Sequence, residues 1–154
     1  MIQLINRQKK IAIDRVWLES LAQELLGATG HASFDLGILL TTNRTIARYN
    51  KVYRHKQGPT DILSFSFHPG HIPGTPVVAR HPDEQNLGDL ILSLEYIQAY
   101  CAGEKVSFEH RLMILITHGI CHLLGYDHED DAEYAGMHNL EEKLIRELPP
   151  SLKR

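Results

Sequence analysis

The spacing of apolar positions changes several times along the chain, and each change predicts an element. Ile11 to Ile13 alternates briefly and predicts a short strand. Asp14 is then suited to cap a helix through Leu26, with Val16, Leu18, Leu21 and Leu25 directed toward a core, and Gly27 and Gly30 closing it. Phe34 to Thr41 predicts a second strand, Thr42 or Asn43 can cap a short helix through Tyr53, and Asp61 to Phe67 predicts a third strand. From His68 to Asn86 the chain carries Pro69, Pro73, Pro76 and Pro82 with Gly70 and Gly74, the composition of a long irregular loop, and loops of this length often carry function. Leu87 to Leu94 predicts a fourth strand, and a helical connection starts at Leu94 to Tyr100. Phe108 to Leu124 is apolar around its circumference and predicts a buried central helix, with Gly125 just beyond its end. A final amphipathic helix is expected from about Asp130 to Leu148, stopped by Pro149 and Pro150.

The chain has 154 residues, 43% apolar and 23% charged. That length predicts one domain, 1–154, since domains commonly run to about 100–200 residues. The formal charge of -3 implies that a nucleic-acid partner would need a local basic patch, because the field of the whole molecule does not attract a polyanion. Arg44, Arg48, Lys51, Arg54, His55 and Lys56 supply such a concentration within one short segment. Cys101 and Cys121 are too few and too poorly placed for a disulfide framework, which favours a reducing compartment. The opening MIQLINRQKKIAID lacks the apolar run of a secretory signal, and no stretch approaches the roughly 18 apolar residues of a membrane span. The expected location is the cytoplasm, without membrane contact.

The chemistry concentrates in HGICHLLGYDH, His118 to His128. His118 and His122 lie four residues apart, so a helix stacks both imidazoles on one face where they can share a metal. Gly125 can adopt a left-handed conformation and turn the chain back, letting His128 approach as a third ligand. Three nitrogens leave one position of a tetrahedral zinc for a water whose pKa falls to about 7, the arrangement of a catalytic site. Isolated histidines at a helix end would more simply be hydrogen-bonding or capping groups, but three at this spacing favour a metal. Asp127 is either an orienting carboxylate behind a ligand or a solvated turn residue. Cys121 should point off the ligand face into packing, and Tyr126 can simply pack.

The spacing also matches HExxHxxGxxH, the zinc-binding pattern of metzincin proteases, with one difference: Gly119 stands where those enzymes carry the glutamate that serves as general base. A peptidase acting through that base is therefore disfavoured.

The wider pattern resembles the YbeY family of bacterial and organellar endoribonucleases, whose signature is HGxLHLxGYDH; here Ile120 and Cys121 fill the third and fourth positions. NKVYRHKQGPTDILSF, Asn50 to Phe65, and LGDLILS, Leu87 to Ser93, are similar to that family as well. The resemblance implies an α+β fold in which helices pack a small mixed four-stranded sheet, with a metal site at the C-terminal end of the central buried helix. It implies a metal-dependent, single-strand-preferring endoribonuclease acting in ribosomal RNA maturation and ribosome quality control, with ribosomal RNA, ribosomal proteins or the small ribosomal subunit as partners. By the same resemblance, Arg54 is the active-site arginine. Phosphodiester cleavage develops charge on non-bridging oxygens that a guanidinium can hold in bidentate fashion. One Zn2+ on His118, His122 and His128 is the expected cofactor, although imidazole also suits other transition metals. Asp61 and Asp89, at the starts of two strands, are expected to be structural. Two other readings remain: a zinc-dependent peptidase or amide hydrolase, and a non-enzymatic ribosome-associated module stiffened by its metal.

Overall fold

A computed structural model describes residues 1–154. Its elements are β1 (Ile2–Asn6), α1 (Arg15–Ala28), β2 (Asp35–Thr41), α2 (Asn43–Arg54), β3 (Ile62–Ser66), β4 (Asn86–Ser93), α3 (Leu94–Glu104), α4 (Phe108–Leu123) and α5 (Asp131–Glu147). The four strands form one sheet in the order β1-β2-β4-β3. β1 and β4 run parallel to β2, while β3 pairs antiparallel to β4 at the edge. This is the mixed four-stranded α+β arrangement expected above. No helix is long and apolar enough to cross a membrane.

The two-residue period of the strands divides the core. Leu36, Ile38 and Leu40 of β2 and Leu90 and Leu92 of β4 join Leu18, Leu21 and Leu25 of α1 and Leu112, Ile116 and Ile120 of α4 in the main core. Each such side chain contributes about 1.5–3 kcal/mol on burial. The alternate residues, Leu39, Leu63, Phe65 and Ile91, face the other way and pack with Ile46 and Tyr49 of α2 in a small second cluster. α4 is therefore held against the inner face of the sheet, and α2 against the outer face.

Several local expectations are corrected. Ile11 to Ile13 is not a strand: the Gln8 side chain accepts from the amides of Lys10 and Ile11 and donates to the Ile11 carbonyl, bending the chain where a ladder would need those groups. The strand lies earlier, at β1. Val16 is 76% exposed, and Trp17 takes the buried place, with its indole N–H donating to the Leu152 carbonyl. Thr42 precedes α2 without a side-chain cap; Glu95 of α3 instead accepts from the Asn43 amide at 2.9 Å. The Glu95 carboxyl is held below its ordinary range by Lys10 and then by that amide.

The first helix also runs on through Gly27 to Ala28, and Gly30 alone, at φ +81°, turns the chain, its amide donating to the Gly27 carbonyl and that of His31 to the Leu26 carbonyl. Elsewhere the pattern and the fold agree closely. Asp14 caps α1 by accepting from the Trp17 amide, Ser107 caps α4 through the His110 amide, and Asp130 caps α5 through the Glu133 amide. The segment from His68 to Gln85 is irregular apart from a 3-10 turn at Pro82–Glu84.

Candidate metal centre

α4 ends in a turn that assembles the site. The Gly125 amide donates to His122 O and the Tyr126 amide to Cys121 O, the paired bonds of a Schellman closure, with Gly125 at φ +85°. A Cβ at Gly125 would lie 2.2 Å from the carbonyl oxygen of His71, so this turn also seats the long loop behind it. The reversal brings His128 back beside the helix, with its own amide held by Asp127 Oδ1 at 2.8 Å.

His118, His122 and His128 converge, with one ligating atom from each within 4.8 Å of the others. The Nε2 atoms of His118 and His122 stand 3.0 Å apart. On their far sides, His118 Nδ1 lies 2.6 Å from Glu141 Oε1 of α5, and His122 Nδ1 lies 2.9 Å from the Tyr126 carbonyl. Both partners are acceptors, so each Nδ1 donates to its neighbour and leaves its Nε2 facing the other ring, the orientation in which the two nitrogens can ligate one ion. Nitrogens about 2.0–2.1 Å from a tetrahedral ion would be separated by about 3.3 Å, so the spacing fits a metal. Burial, followed by the neighbouring His118, pushes His122 below the ordinary histidine range, favouring the neutral ligand form.

The ligands open onto a cleft of about 640 Å³ whose wall carries Arg54, Lys56, Ser64 and Ser66. Arg54 is the last residue of α2, and the chain beyond it is shaped by buried Asn50, whose side-chain amide donates to the Gly58 carbonyl at 2.9 Å. Asp61 closes this wall: Oδ1 accepts from the Ile62 amide and Oδ2 pairs with Arg111 at 3.0 Å. Asp61 is thus engaged structurally, as expected. Of the basic cluster, only Arg54 and Lys56 line the cleft; Arg44, Arg48 and Lys51 lie exposed along α2. Asp89 is exposed on the outer face of the sheet, away from the histidines.

Cys121 points away from the ligands into the core, where burial and then Glu141 push its thiol up to about 12. Gly119 also faces the core. A Cβ there would lie 2.7 Å from Leu90 Cδ2 and 2.9 Å from Ile62 Cδ1, so a glutamate at this position would meet the sheet rather than the cleft. Glu141 escaped sequence reasoning because nothing in the spacing of α5 indicates which of its carboxylates crosses to α4.

The model of the family described as Endoribonuclease YbeY matches residues 3–149. A relative from Homo sapiens named Endoribonuclease YbeY is 38% identical over 143 residues, covering 93% of this chain and 85% of the relative. One of the same name from Petrotoga mobilis is 32% identical over 155 residues, covering 99% of each. The solution structure of TM1509 from Thermotoga maritima superposes with a TM-score of 0.56 at 21% identity, covering 96% of this chain and 91% of that one, a likeness of fold.

Proposed function

Because the chain belongs to the YbeY family of endoribonucleases, we propose that residues 1–154 act as one metal-dependent endoribonuclease domain, with His118, His122 and His128 as ligands and Arg54 as the catalytic cation. The observation that carries this reading is the pair of facing Nε2 atoms at 3.0 Å, both Nδ1 atoms being engaged by acceptors, in a cleft shared with Arg54. Three imidazoles suit zinc, which is the proposed ion. When bound, the metal supplies Lewis acidity and water activation near neutral pH.

The protein's own groups do the remainder. Arg54 presents a planar fork to two non-bridging oxygens of the scissile phosphate and neutralises the charge that develops there. Lys56 adds a second positive charge in the same cleft. Glu141 and the Tyr126 carbonyl keep the two helical imidazoles in the ligating tautomer. The buried setting of Gly119 disfavours a peptidase working through a glutamate at that position.

The proposed substrate is single-stranded ribosomal RNA, and the proposed setting is ribosomal RNA maturation and ribosome quality control in the cytoplasm, in contact with ribosomal proteins or the small subunit. The test is cleavage of structured ribosomal RNA by metal-loaded protein, compared with chelated protein and with Arg54→Ala and His122→Ala variants, with bound metal quantified in each. Cleavage lost in both variants, with metal lost only from the histidine variant, supports the assigned roles. Metal retained by the wild type without cleavage of any RNA would favour a metal-stiffened binding module instead.

A further inference from the structure

The edge strand β3 is a ridge between two depressions. Ser64 and Ser66 line the metal cleft on one side, and Phe65, between them, lines a groove of about 670 Å³ on the outer face of the sheet. The end of α2 straddles the same ridge: Arg54 faces the cleft and Tyr53 faces the groove. Tyr53 is 60% exposed, yet its ring is held on two sides. It makes a T-shaped contact with Phe65 at 5.1 Å with a 68° interplanar angle, and stacks on Tyr49 at 5.9 Å and 16°. An aromatic ring fixed by its neighbours and open to solvent, one residue from a phosphate-binding arginine, has the chemistry of a base-stacking platform, since stacking needs only a rigid exposed π face.

Building on the endoribonuclease reading above, we propose that Tyr53 stacks an unpaired nucleobase of the RNA strand whose scissile phosphate Arg54 holds. Charge sets where the backbone lies. Arg54 and Lys56 line the cleft side of the ridge, whereas the groove side holds Arg7 and Asp89, whose charges offset each other. The phosphates therefore stay on the cleft side with Arg54 and Lys56, and the base crosses the ridge onto the aromatic step. A base within a duplex is already stacked and paired, so this subsite accepts only single-stranded or looped-out nucleotides.

The test uses metal-loaded protein and a single-stranded RNA oligonucleotide, intact or carrying one abasic nucleotide at each position flanking the cleaved bond. Tyr53→Leu keeps apolar bulk and removes the ring. It is expected to raise KM by about 5- to 150-fold, the range for losing one base–aromatic stack, with the loss falling on KM rather than kcat, while Tyr53→Phe restores affinity. One abasic position should raise KM in the wild type and add nothing further in Tyr53→Leu. A Tyr53→Leu enzyme that binds the intact strand as the wild type does would overturn the subsite and leave the groove to a protein partner. A wild type that cleaves no RNA would instead overturn the endoribonuclease reading, and the subsite with it.

Discussion

Glu141 Oε1 lies 2.6 Å from His118 Nδ1, so the final helix reaches across to α4 and holds a candidate metal ligand from behind. The carboxylate fixes the imidazole tautomer and ring orientation and raises the basicity of the nitrogen on the other side. Glu141→Ala is expected to weaken metal affinity by about 10- to 100-fold, as measured by competition with a chromophoric chelator. Glu141→Gln keeps an acceptor without the charge and should fall between the two. Wild-type affinity in the alanine variant would show that α5 does not orient the ligand.

The turn after α4 gives a second prediction. Alanine at Gly125 must hold φ near +85° and bring a Cβ to 2.2 Å from the His71 carbonyl, where only backbone movement relieves the contact. The left-handed conformation alone costs about 1–2 kcal/mol. Gly125→Ala should lower the unfolding midpoint and, by disturbing the Tyr126 carbonyl that holds His122, also weaken metal binding. Denaturant unfolding and chelator competition on the same sample test both effects.

Installing the metzincin glutamate should destabilise the protein. In Gly119→Glu the new carboxylate would enter the packing of Leu90 and Ile62, and an unpaired buried charge combined with overpacking costs more than about 3 kcal/mol. The variant is expected to unfold at markedly lower denaturant and to show no proteolysis of casein. A stable variant with peptidase activity would contradict the orientation of this face of α4.

Stability also depends on pH through His31. This side chain is buried, its Nε2 accepting from the Val77 amide at 3.3 Å while Nδ1 lies 3.2 Å from Thr29 Oγ1. Burial, and then His71, lowers its pKa below 6.5. Above pH ~6.5 both the folded and unfolded chains leave the ring neutral, and its contribution to stability is fully present. As pH falls from there through the folded pKa, the unfolded chain binds the proton first and that stability is lost. Unfolding midpoints of chelated protein at pH 7.5 and 5.5 should therefore differ less in His31→Asn than in the wild type. An equal difference would contradict a buried neutral His31.

What could be read from the sequence was what depends on local spacing. His118, His122, Gly125 and His128 lie within one helix end, where the periodicity of α4 and the conformational freedom of one glycine largely determine where the rings go. Glu141 lies 23 residues beyond His118, and its role depends on how α4 and α5 cross. β1 is not legible in the local pattern because it is only five residues long and is stabilised by pairing with β2, far along the chain. The alternation at Ile11 to Ile13 misled because Gln8 takes the backbone groups a strand would use. Arg54 stands out only through a resemblance; its meeting with Lys56 and Ser64 in the histidine cleft is tertiary.

The central claim, that one metal on His118, His122 and His128 is required for RNA cleavage, is tested most directly by stripping the protein with chelator and adding zinc back in increments while following cleavage of a ribosomal RNA fragment and protein-bound metal together. Cleavage should vanish on stripping and return in proportion to bound metal, reaching its plateau at one ion per chain. Cleavage that survives complete stripping, or that fails to return when the site is full, would contradict it.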